Sequence, residues 1–166
     1  AMERVTGKKL ADLISEELWQ KMGAENDANI TVDSSGYGLS CGGISSSLRD
    51  FARFGILHLN GGKLNGKQII PSDWIDDIRS GNHGLANESL RATYPNGKYR
   101  NQFWIEDASK TTVMCIGVFG QLIYIAPEYN MVVVKFSTWP DFVDNTHKLN
   151  TLSAIHAIAE NYKGKG

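Results

Sequence analysis

The chain has 166 residues, 42% of them hydrophobic and 21% charged, with a formal net charge of −1. That composition excludes a disordered polyelectrolyte and fits one globular domain or a large piece of one. Positive and negative residues are intermixed, so there is no basic stripe for nucleic acid and no polybasic cluster for a membrane surface. Apolar runs such as Met131-Val132-Val133-Val134 are far shorter than the roughly 20 residues needed to cross a bilayer. The first residues, with Glu3, Arg4, Lys8 and Lys9, do not read as a signal peptide.

In chain order, Leu10, Leu13, Ile14, Leu18 and Met22 recur at helical spacing before Gly23, which predicts a helix from about Lys8 to Met22. Residues 23–45 are rich in Gly, Ser, Asn and Asp and read as a long loop with short extended pieces. Ser47-x-x-Asp50 has the form of a capping box, with Asp in the place of Glu. The amphipathic helix that follows, carrying Leu48, Phe51, Ala52, Gly55, Ile56 and Leu59, ends at Asn60-Gly61-Gly62. Asn65-Gly66 suits a type I′ turn, so Lys63 to Ile69 predicts a small hairpin. Pro71 opens a helix with Trp74, Ile75 and Ile78 turned inward, and residues 80–98 read as loop.

Four strands are then expected, at Tyr99–Ile105, Thr111–Gly117, Gln121–Ala126 and Met131–Ser137. Pro127 to Asn130 makes the turn of an antiparallel pair. Leu149, Leu152, Ile155, Ile158 and Ala159 mark a closing helix from about Asn145 to Tyr162. The fold class expected is α+β: an antiparallel sheet of three main strands plus a preceding one, with a C-terminal helix and a helical N-terminal portion. The division expected is residues 1–98 as part of a helical region with loops and a small hairpin and residues 99–166 as the sheet strands and terminal helix, together one incomplete unit. The strand at 131–137 is apolar nearly throughout, as strands covered on both faces are. It is the last strand of the chain, and a hydrophobic edge left open is a liability. A neighbouring strand is therefore expected from polypeptide outside these residues or from a second copy.

Three stretches, in order, resemble the serine β-lactamase, penicillin-binding and esterase superfamily. They are Glu3-Arg4-Val5-Thr6-Gly7-Lys8-Lys9-Leu10 running to Met22-Gly23-Ala24-Glu25; Gly42-Gly43-Ile44-Ser45-Ser46-Ser47-Leu48-Arg49-Asp50-Phe51-Ala52-Arg53-Phe54-Gly55, continuing to Ile70-Pro71 and Trp74; and Gly117-Val118-Phe119-Gly120-Gln121 with Tyr124-Ile125-Ala126-Pro127-Glu128. Tyr99 to Trp104 and the Gly-x-x-Gly-Gln form are similar to 6-aminohexanoate-dimer hydrolases and related esterases more than to class C β-lactamases.

The resemblance implies a C-terminal part of an acyl-enzyme hydrolase acting on small esters, amides or β-lactam-like substrates. Such enzymes use a Ser-x-x-Lys nucleophile and a Tyr-x-Asn motif. The chain contains no Ser-x-x-Lys, and its Tyr94-Pro95-Asn96 lies downstream of where the family places that Tyr, so Tyr94 reads as a turn residue. The chain alone is expected to be inactive, its partner being the N-terminal half of the same protein or a second copy paired through strand 131–137; the alternative is a non-enzymatic remnant, or a binding or self-association module, that keeps the scaffold.

At the family's Lys-Thr-Gly place stands Cys115-Ile116-Gly117. The missing cationic and polar members argue against recognition of a β-lactam carboxylate and leave esters and amides. The resemblance implies that the Val118 backbone N–H is one of two oxyanion-hole donors, with Cys115, Gly117, Phe119, Gly120 and Gln121 around the substrate. Gln121 either touches substrate or orients the strand end. Cys115 reads as a buried, inert thiol, and His58, His83, His147 and His156 as surface or satisfied structural histidines, none lying at metal-ligand spacing. No cofactor is implied.

Overall fold

The computed structural model describes residues 1–81, 83–84 and 88–162. A short helix α1, Met2–Thr6, ends at Gly7 and is followed by α2, Leu10–Ile14, which runs on through a π-helical turn, Ser15–Trp19. Together these cover most of the expected 8–22 helix, and Gly23 closes it with φ +71°. The long loop contains only the paired two-residue strands β1, Asn29–Ile30, and β2, Ile44–Ser45.

Helix α3, Leu48–Leu59, begins as the sequence indicates, with the Asp50 N–H donating to the Ser47 hydroxyl over 3.1 Å. The Asp50 carboxylate, however, reaches well beyond its own helix start. It is fully buried and accepts from the amides of Glu25 (2.8 Å) and Asn26 (3.2 Å), from the Asn26 side chain, from the Ser47 hydroxyl and from Arg53. One carboxylate thereby ties the end of the first helical segment to α3. Strands β3, Lys63–Leu64, and β4, Lys67–Gln68, form the small hairpin, with positive φ at both Asn65 and Gly66 as a type I′ turn requires. Helix α4, Ser72–Ser80, follows Pro71 and buries Ile75 and Ile78, while Trp74 is half exposed rather than turned inward.

Of the 80–98 stretch expected as loop, residues 82 and 85–87 lie outside the described ones. The rest includes a two-residue strand β5, His83–Gly84, and a short helix α5, Glu88–Thr93. The expected strand over 99–105 is two: β6, Lys98–Arg100, and β7, Phe103–Ile105, fold back on each other. Asn101 and Gln102 both take positive φ between them. The sharp reversal is anchored from outside. Asp77 of α4 accepts two hydrogen bonds from Arg100 (2.8 and 2.7 Å) and one from the Asn101 amide (2.7 Å).

Strands β8, Val113–Ile116, β9, Leu122–Ala126, and β10, Met131–Lys135, complete an antiparallel sheet in the order β10-β9-β8-β7-β6-β5. Helix α6, Asn145–Tyr162, covers one face through Leu152 and Ile155, packed with Tyr94, Met114, Leu122, Tyr124 and Ala126. The other face buries Ile78, Phe103, Ile105, Val113 and Ile125, with Val132 and Ile123 beneath α3. Helix α3 lies close here because residue 55 is Gly: a β-carbon there would come within 2.5 Å of Val132 Cγ1. Side chains alternate between these two cores along β8 and β9, which makes the register tolerant of no slip. Strand β10 is thus covered above and below, yet among the described residues it pairs only with β9.

Candidate functional site

The segment between β8 and β9 carries the family resemblance. Ile116 pairs with Leu122, and the Gly117 N–H then donates to the Gln121 carbonyl over 2.9 Å. Residues Val118–Gly120 make a tight 3-10 turn in which Phe119 adopts a left-handed conformation (φ 54°, ψ 24°). Gly120 follows with φ +86°. Val118 N–H is the first amide of this turn, so it has no acceptor within the turn itself. The Val118 residue is 42% exposed and Phe119 40% exposed. Both residues stand at the surface end of β8 rather than inside a sealed core.

The turn is fixed by the loop that leaves β10. Phe119 N–H donates to the Phe142 carbonyl (3.1 Å), and the Trp139 N–H donates to the Phe119 carbonyl (3.2 Å). The Gln121 side chain bonds the backbone of a single residue, donating to the Ser137 carbonyl and accepting from the Ser137 N–H. That is the geometry of a residue orienting the strand end. The Lys135 ammonium donates to the Gly120 carbonyl (3.3 Å) and lies 4.5 Å from the centre of the Trp139 ring. The rings of Phe119 and Phe142 meet edge to face.

Of the sequence-derived site residues, Gly117, Val118, Phe119, Gly120 and Gln121 are contiguous in this turn. Cys115 lies one step below, its side chain packed against the Ile78–Ile125 core. Burial pushes its thiol up to about 12, so it is neutral and poorly nucleophilic at ordinary pH. Lys135, Trp139 and Phe142, which hold this turn, are not legible in the sequence, because they lie 17 to 24 residues beyond Val118 and carry no motif.

Tyr94 begins a turn, its carbonyl accepting the Gly97 N–H, but its ring is buried in the core beneath Gly117 and Gly120. Burial and, secondarily, the Glu106 carboxylate hold its hydroxyl up at about 12. His58 is buried between Phe54 and Phe103, with Nδ1 3.0 Å from the Phe54 carbonyl. His147 pairs with Asp144 and His156 with Glu106. The expectation for His83 concerns a side chain outside the described ones. Among the described residues no cluster of His, Cys, Asp and Glu could hold a metal ion, and no helix is long and apolar enough to cross a membrane.

No protein-family profile matches the chain. It is 36% identical over 142 residues to the 6-aminohexanoate-dimer hydrolase of Paenarthrobacter ureafaciens, a match covering 84% of this chain and 36% of that one. A solved structure from Bacillus anthracis, assigned as a 6-aminohexanoate-dimer hydrolase, superposes with a TM-score of 0.82 at 33% identity, over 98% of this chain and 41% of the other. The chain is a partial-length relative of the 6-aminohexanoate-dimer hydrolases. A protein of Bacteroides dorei assigned as a β-lactamase shares the fold with a TM-score of 0.62 at 17% identity, covering 81% of this chain and 46% of that one. The chain therefore spans about two fifths of the length of the hydrolases it matches. What it has in common with them includes the sheet, α6 and the turn bearing Val118.

Proposed function

We propose that this chain supplies half of the oxyanion hole of a serine hydrolase that cleaves small esters or amides through an acyl-enzyme. The nucleophile and its proton-handling groups come from polypeptide outside these 166 residues. As that nucleophile adds to the carbonyl, the developing oxygen anion takes a hydrogen bond from Val118 N–H. Removing one such donor costs about 3 kcal/mol in the transition state. Gly117 and Gly120 let the turn fold closely against Gln121 and Trp139, and Phe119 borders the substrate. The observation that carries the reading is the part-exposed Val118 at the head of a fixed turn, at the end of β8, in a relative of these hydrolases.

The open side of β10 supports the same reading. A strand covered on both faces but paired on one side suits a neighbour from the rest of the hydrolase. The 166-residue chain is then silent toward a nitrophenyl ester, while the protein carrying its upstream sequence turns it over and loses about a hundredfold in kcat as Val118→Pro, which has no N–H. Turnover by the short chain, unchanged in that variant, would defeat the assignment. The same free edge favours one other reading, a non-enzymatic scaffold whose β10 strands pair between two copies. Sedimentation showing only monomer across a wide concentration range would exclude it.

A further inference from the structure

The turn that presents Val118 does not hold its shape by itself. Phe119 is a non-glycine residue in the left-handed region, a conformation that persists only where the surroundings impose it. Both of its peptide groups are bonded to the loop after β10, the N–H to Phe142 and the carbonyl to Trp139. Gly120 is pressed so closely on the Trp139 indole that a β-carbon there would lie 2.4 Å from Cε2. On the same ring sits the Lys135 ammonium, which also bonds the Gly120 carbonyl. Burial lowers the Lys135 pKa, in keeping with an ammonium partly withdrawn from water.

We propose that Trp139, assisted by Lys135, is a positioning residue that locks the 117–121 turn and thereby aims the Val118 amide. The inference rests on Val118 being an oxyanion donor. An oxyanion hole works only when its donors are fixed before the charge develops, within a few tenths of an ångström of the final position. Trp139 contributes nothing to substrate binding on this view. Its loss leaves the amide present but free to turn away, which affects the transition state and spares the ground state.

Two measurements test it. In the hydrolase carrying its upstream sequence, Trp139→Ala is expected to lower kcat for a nitrophenyl ester about tenfold with KM within about twofold, and Trp139→Phe, which keeps a ring on Gly120, to recover most of the loss. In the 166-residue chain, Trp139→Ala is expected to speed amide exchange at Phe119 at least about tenfold while the β8 and β9 amides keep their protection. If Val118→Pro abolishes turnover but Trp139→Ala changes neither kcat nor exchange, the positioning role is wrong and the donor assignment stands. If Val118→Pro leaves kcat intact, the donor assignment falls instead, whatever the exchange shows. Should Trp139→Ala loosen the whole sheet, Lys135→Met decides: it removes the ammonium that bonds the Gly120 carbonyl and rests on the Trp139 ring while leaving the indole in place, and an unchanged kcat in that variant overturns the proposal.

Discussion

The Trp139 indole lies against the α-carbon of Gly120 with no room between them for a side chain. Residue 120 also has φ +86°, so two independent constraints, one steric and one conformational, select glycine at the same position. Gly120→Ala is therefore expected to cost about 2–4 kcal/mol, from overpacking added to an unfavourable backbone. Urea denaturation would show a lowered midpoint. Adding Trp139→Ala to it removes the clash but not the backbone term, so the double variant should lose less than the sum of the two single losses. Strict additivity would mean that the ring and residue 120 do not meet.

The two thiols should differ sharply in reactivity. Cys41 is exposed, whereas Cys115 packs into the core and burial pushes its pKa up to about 12. A disulfide reagent such as Ellman's at pH 8 should modify one thiol per folded chain quickly and the second only on unfolding. Rapid modification of both in the native protein would contradict the packing of β8 against the Ile78–Ile125 core.

Much of this fold was legible in the sequence because its determinants are local. Ser47 and Asp50 mark a helix start three residues apart, and Asn65-Gly66 fixes a turn from its own two residues. The alternating side chains of β8 and β9 need no knowledge of what covers them. The Val118 turn displays no chemistry of its own in the sequence and stands out only by its order among the family motifs. What escaped depends on distant partners. Asp50 looked like a helix cap, yet most of its donors belong to residues 24 and 25 positions earlier. The reversal at Asn101-Gln102 was hidden because Asp77 on α4 stabilises it from outside, and local residue types gave Tyr99–Ile105 the signature of one strand. Trp74 was assigned inward by helical spacing, but the face it shares is half open.

His58 links stability to pH. Burial lowers its pKa below the ordinary value of 6.5, the nearby Arg79 charge adds to this, and the Phe54 carbonyl opposes it only in part. The folded state therefore favours the neutral ring. Its contribution is complete above about pH 6.5 and declines as pH falls from there through the lower folded value. The urea midpoint should begin to fall below about pH 6.5 in the native chain, and His58→Phe should remove that step. A midpoint flat from pH 7 to 5 would show that the ring can be charged where it lies at no cost.

Asp50 gives a second, more acidic window. Burial by itself would raise its pKa, but the Glu25 amide, the Ser47 hydroxyl and the Asn26 side chain and amide outweigh that and hold it at about 2. An unfolded Asp titrates near 3.9, so the carboxylate's contribution is present above about pH 4 and is lost as pH falls through 2. Asp50→Asn keeps the shape but puts an amide N–H₂ among groups that are themselves donors. The expected cost is about 2–4 kcal/mol at neutral pH, because buried donors lose their acceptor. The same variant should abolish the loss of stability between about pH 4 and 2, and that pairing is the decisive feature. A destabilised variant with an undiminished acid transition would mean that other carboxylates unfold the chain. The Glu25–Asn26 segment would then be held to α3 by packing, such as that of Trp19 on Phe51, more than by this one buried charge.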